Sequence, residues 1–197
     1  MRKTAIGTIL ASLLLTAAVP LAEEIPRSAR LVKDAGNQFL LAKKYADAID
    51  CYLQALDTFP DFPEAHYNLG ISFLKGYNSD RLALHHFRRY LELSPDAPDR
   101  ESIEHVIEAL AGRVAPLSEE PGRVLGLIAG RLLVSGGGWA DRGDRIEVAE
   151  EGKAPRACLI AEAVYPDCIL TQRVWDASTL GSLRSGLVAV NTTADDL

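Results

Sequence analysis

Apolar and polar positions follow a helical rhythm over residues 29–114. In "KYADAIDCYLQALDTFP", residues 44–60, Ala48, Tyr52 and Ala55 fall at gaps of four and three, on one helical face, and Pro60 stops the run. "RLALHHFRRYLELSP" repeats the pattern as Ala83, Phe87, Tyr90 and Pro95, each displaced by 35. Upstream, Ala35, Gly36 and Phe39 recur as Leu69, Gly70 and Phe73, each displaced by 34. The growth of the shift places one extra residue near Gly76–Asp80, where turn chemistry is expected. Helices are therefore expected over 29–42, 45–58, 64–75 and 80–93. A repeat of about 34 residues built from two helices reads as a helical solenoid unit. A fifth helix, 98–114, follows, with Asp96 or Asp99 as cap and Pro98 in its first turn. Its apolar stripe is Ile103, Val106, Ile107 and Leu110, with Glu101, Glu104 and Glu108 on the wetter faces. Such a helix seals one end of a stack.

After "APLSEEPG", residues 115–122, a linker by composition, the period changes. "RVLGLI", "RLLVS", "RIEVA", "RACLIAEAV", "CILTQRV" and "GLVAV" are short apolar segments separated by turn signals. Ala129-Gly130 suits a tight turn, and "GGGWADRGD" a glycine-rich loop. "RACLIAEAV" reads as a strand because turn signals bracket it, with a helix as the alternative, since alanine is a poor strand former. Five to six strands over 123–191 predict a small all-β barrel or sandwich. The expected fold class is α+β: repeats 29–62 and 63–97, a capping helix 98–114, a linker 115–122 and a β-domain 123–191.

The first 22 residues stand apart. Arg2 and Lys3 precede the apolar run "AIGTILASLLL" and the small-residue stretch "TAAVPLA". That order reads as a secretory signal peptide cleaved after Ala18 or Ala22, which implies a periplasmic or secreted protein with no stable membrane span after cleavage. The run is short for a bilayer span, which takes about 20 apolar residues. Formal net charge is −6, and loss of the leader makes it more negative, so nucleic acid is a poor partner. Export permits disulfides. Cys158 and Cys168 are the one close pair, but the turn at "YPD" sets them at different levels of a hairpin. Cys51 reads as a small buried hydrophobe.

Residues 29–114 resemble the tetratricopeptide repeat family. The resemblance is carried by Ala35, Gly36, Phe39, Ala48, Tyr52, Ala55 and Pro60, and by Leu69, Gly70, Phe73, Ala83, Phe87, Tyr90 and Pro95. Glycine and alanine permit close helix approach, and the aromatics fill the space beside them. The sequence departs from the family where an aromatic usually stands early in the first helix: here the residues are Val32 and His66. Tyr90 also replaces a usual small residue. The second half resembles the C-terminal β-domain of exported surface-assembly proteins such as flagellar assembly protein T, through "GRVLGLIAGRLLV", "RGDRIEV" and "SGLVAV".

Binding is the function that these residues favour. The family resemblance implies a groove lined by the first helix of each repeat, holding a protein or peptide partner. Its positions here are Lys33, Asn37, Leu40, Tyr67, Asn68 and Ile71. Lys33, Asn37 and Asn68 match three positions of the carboxylate clamp of some family members, where an ammonium and amide donors suit an anion. The clamp's remaining basic pair is expected from the fifth helix, which offers Glu101, Glu104 and His105 instead, and acidic groups repel a carboxylate. His85 and His86 are adjacent on a helix and point about 100° apart, so they do not chelate together. His105 with Glu101 and Glu108 reads as a solvated acidic face. No nucleophile elbow, zinc-protease motif or phosphate loop is present, and no cofactor or metal is implied. The expectation is an exported non-enzymatic adaptor. The alternatives are a structural subunit of a surface or secretion assembly, and an envelope enzyme with a site around Trp139, Asp141 and Asp144.

Overall fold

The structure is a computed structural model that describes residues 24–114, 122–136, 140–150, 153–176, 178–179, 183 and 187–191. The expected leader, most of the 115–122 linker and Trp139 lie outside the described residues. Five helices come first: α1 Arg27–Leu41, α2 Tyr45–Thr58, α3 Pro63–Tyr77, α4 Asp80–Leu93 and α5 Arg100–Ala111. Six strands follow: β1 Val124–Ile128, β2 Arg131–Ser135, β3 Arg145–Ala149, β4 Ala157–Val164, β5 Cys168–Thr171 and β6 Val188–Asn191. The layout is α+β, a helical repeat array followed by an antiparallel curled sheet.

Each helix pair closes over its glycine. A Cβ on Gly36 would lie 2.7 Å from the Tyr52 ring, and one on Gly70 2.7 Å from the Phe87 ring. No side chain fits at either position, so the aromatic of the second helix lies directly on the backbone of the first. Ala48, Ala55 and Ala83 are fully buried between helices, and Phe73 is buried while Phe39 is partly so. The extra residue of the second repeat sits where the shift placed it. α3 continues to Tyr77 and ends on Asn78, whose φ of 49° turns the chain into α4. Asparagine tolerates this left-handed conformation better than most residues.

The sheet is one layer, in the order β1-β2-β5-β4-β3-β6, rather than a sandwich of two. Ala129 and Gly130 both have positive φ, as a two-residue hairpin turn requires, and "RACLIAEAV" pairs as strand β4. The sheet curls until its edges meet. Val124 N–H donates to the Leu187 carbonyl at 2.8 Å, and Ala189 N–H to the Gly122 carbonyl at 2.6 Å. This contact blunts two strand edges that otherwise present unpaired backbone groups.

Strands β2 and β5 are apolar on both faces because both are covered. Leu132, Val134 and Ile169 face the interior of the curl with Ile146, Val148 and Leu159. Leu133, Cys168 and Leu170 belong to a second buried cluster with Leu53, Leu84 and Phe87 of the helices. That cluster is continuous from the helical array into the sheet. The three cysteines are free thiols, Cys51 half-buried, Cys158 exposed and Cys168 buried. Cys158 stands opposite Glu147 and Cys168 opposite Ser135, so neither strand register brings them together.

Candidate functional site

Two surfaces of the helical array gather polar and aromatic side chains. The first is the face of α1 and α3. Asn37 Oδ1 accepts two hydrogen bonds of 2.9 Å, one from Tyr52 Oη and one from Asn68 Nδ2. Burial raises the pKa of the Tyr52 hydroxyl, so it stays protonated and donating. Lys33 Nζ pairs with Asp34 at 2.7 Å and lies 5.8 Å from the centre of the Phe62 ring. Leu40, Tyr67 and Ile71 are half-buried. Tyr67 meets Phe87 and Tyr90 edge-on, and Tyr90 Oη donates to Asp99 Oδ1 at 2.7 Å. The large residue at position 90 thereby ties α4 to the start of α5.

The acidic residues of α5 lie on the wetter faces that the spacing predicts. Glu101, Glu104, His105 and Glu108 are all exposed, while Ile103 and Leu110 are buried. No described helix follows to cover that face, so it is polar. Arg100 is the one lysine or arginine of α5, so the helix does not supply the clamp's remaining basic pair.

The second surface lies on the other side, where α2 and α4 meet the sheet. A cleft of about 690 Å³ runs between them. Ion pairs cross it. Arg131, whose side chain is 2% exposed, binds Glu162 and Asp50. Arg173 binds Asp50 at 2.5 Å and Asp47 at 3.2 Å, and Arg142 binds Asp57 at 2.6 Å. Burial opposes the Arg131 charge, but Glu162 and Asp50 outweigh it and hold its pKa above the ordinary value. Arg81 binds Asp167 at the far side of the contact.

The cleft's floor is a chain of neutral rings. His66 Nε2 lies 3.0 Å from the Pro60 carbonyl, His66 Nδ1 3.0 Å from His86 Nδ1, and His86 Nε2 3.0 Å from Tyr165 Oη. A carbonyl only accepts, which fixes every proton. His66 donates from Nε2, His86 donates from Nδ1 to His66, and Tyr165 donates to His86. Burial, ahead of every other cause, lowers both histidines, His66 to about 4. Phe73 stacks on His86 at 5.6 Å. His66 occupies the place where the repeat pattern has an aromatic, so this departure marks where the sheet docks.

Asp141 and Asp144 form a turn of their own, with Asp141 N–H donating to Asp144 Oδ2 at 2.8 Å, and neither lines the cleft. His105 is exposed, 4.0 Å from Glu108. Among the described residues, no group of three or more His, Cys, Asp or Glu is arranged to hold a metal ion. Among them too, no helix is long and apolar enough to cross a membrane.

With the geometry established, comparison with known proteins bears on the helical half. The family model for the TPR repeat matches residues 36–76. No curated protein matches. Among solved structures, this chain is similar to the first TPR of Spaghetti (RPAP3) bound to the HSP90 peptide SRMEEVD. The two are 20% identical, with 43% of this chain and 94% of that chain covered and a TM-score of 0.25. The matched residues, 36–76, run from the glycine of α1 to the last turn of α3.

Proposed function

We propose that this chain is an exported, non-enzymatic adaptor that holds an extended peptide of a protein partner on the α1–α3 face. One observation carries the reading: Asn37 and Asn68 are locked together across the two helices, with Lys33 one helical turn before Asn37 on α1. The lock fixes an amide-bearing surface before any partner arrives, which lowers the ordering cost of binding. Half-buried Leu40, Tyr67 and Ile71 supply apolar contact along the same face. Export follows from the leader-like start of the chain. A role in a surface assembly is the second reading, and it rests on the sequence resemblance of "GRVLGLIAGRLLV", "RGDRIEV" and "SGLVAV" alone.

The test uses the whole mature chain. A photo-crosslinking residue at Tyr67 is compared with one at exposed Arg88 on α4. The Tyr67 position is expected to capture a defined envelope protein that the Arg88 position does not. Lys33→Glu is expected to weaken that partner about tenfold, with the melting temperature unchanged. Equal capture at both positions, or full affinity in Lys33→Glu, removes the groove from the reading.

A further inference from the structure

The cleft between the helices and the sheet has a division of labour among its polar groups. Every charged side chain that lines it is engaged with an opposite charge: Arg131 with Asp50 and Glu162, Arg173 with Asp50, Arg142 with Asp57. A charged ligand entering this space loses its hydration and meets no uncompensated charge in return. Arg131 Nη1 is buried without a partner, an unused donor on a charge that its two carboxylates already balance, and the cleft's described side chains that make no hydrogen bond at all are neutral. The amides of Gln54 and Gln172, exposed at the mouth of the cleft, bond to no described residue. The His85 ring meets Tyr165 edge-on at 4.6 Å, and no described residue bonds to its nitrogens.

Burial is the first cause that lowers the His85 pKa, so near neutral pH its ring offers one donor and one acceptor. Between these groups the wall is apolar, from Leu53 and Leu56 on α2 and Ala163 and Val164 on β4. At the rim Trp175 is 75% exposed, yet its ring is held in place by the Arg173 guanidinium, 4.1 Å from the ring centre. An exposed tryptophan fixed beside unpartnered amides is a platform for a flat, uncharged group. The volume falls in the range of small-molecule sites, about 300–1,000 Å³.

We propose that this cleft is a second binding site, for a small uncharged molecule that combines a ring with amide-type or hydroxyl-type hydrogen-bonding groups. The ring lies against Trp175 and the Leu53–Val164 wall, and the polar groups meet Gln54, Gln172 and His85. Such a ligand touches both halves at once and ties their association to its own concentration. This site is independent of the α1–α3 face.

The experiment is a titration of the isotope-labelled mature chain with N-acetylphenylalaninamide, an uncharged aromatic amide. Phenylacetate and phenethylammonium serve as charged analogues. Saturable movement of the Trp175 indole and His85 ring signals is expected with the neutral probe. The charged analogues are expected to bind at least about tenfold more weakly, the minimum cost of burying an unpaired charge. Ala163→Phe fills the cleft and Gln172→Leu removes one amide, and each is expected to weaken the neutral probe about fivefold or more. Gln172→Leu is at an exposed position and keeps the test valid where Ala163→Phe disturbs folding. Absence of saturable shifts at Trp175 and His85 overturns the proposal. So does equal affinity for the charged analogues, or full affinity in a folded Gln172→Leu chain.

Discussion

His66 and His86 face each other nitrogen to nitrogen, and the single proton between them is shared only while both rings stay neutral. That has a direct consequence for stability. Unfolded histidine titrates near 6.5, whereas burial holds His66 at about 4 in the fold. The unfolded chain therefore takes up protons first as the pH falls. Stability is complete above about 6.5 and is lost between there and about 4, with His66 alone accounting for about 3 kcal/mol. Asp61 and Arg89 act on His66 in opposite senses, so burial sets the direction. Thermal midpoints measured from pH 7.5 downward should drop through this window. The triple substitution His66→Phe, His86→Phe, Tyr165→Phe should flatten the same curve. A wild-type midpoint that is level across the window contradicts the neutral chain of rings.

At the scale of elements, the repeat was legible because it is local. Gly36 with Tyr52, and Gly70 with Phe87, lie within one helix pair each, and the two copies repeat the constraint. Gly70→Ala tests it: the new methyl meets the Phe87 ring, at an expected cost of about 1–3 kcal/mol in the urea midpoint. Phe87→Leu in the same chain should recover part of that loss, and no recovery assigns the cost to something other than the ring. The strands were also readable, since Ala129-Gly130 and "YPD" punctuate apolar segments of strand length. The role of α5 was readable too. Its stripe of Ile103, Val106, Ile107 and Leu110 marked it as a cap, and Glu101, Glu104, His105 and Glu108 are exposed on its other faces.

Across the whole molecule, the contacts that join the halves leave no period in the sequence. Asp50 meets Arg131 from 81 positions away, Arg81 meets Asp167 from 86, and Asp47 meets Arg173 from 126. The one trace is His66 in a place that the repeat pattern gives to an aromatic. Arg131→Ala is expected to leave Glu162 and Asp50 close together without their shared cation, at a cost of about 3 kcal/mol. Because Leu133 and Leu170 sit in the helices' own buried cluster, helicity and Trp175 fluorescence should be lost in one urea transition in the wild type. In Arg131→Ala the two signals should separate. Separate wild-type transitions show that the continuous cluster does not couple the halves.

A chain is made from its N-terminus, and the continuous cluster gives that order a cost. When α5 has been made, Tyr165, Leu170 and Arg131 do not yet exist to cover α2 and α4. Leu53, Leu84 and His86, buried in the finished protein, then face the solvent of whichever compartment the nascent chain has entered. Until β4 and β5 arrive, the part of the cluster that meets Tyr165 and Leu170 has nothing to pack against. A chain truncated after α5 carries that bare face permanently, and a protease or chaperone that patrols for exposed leucines can tell it from the finished one.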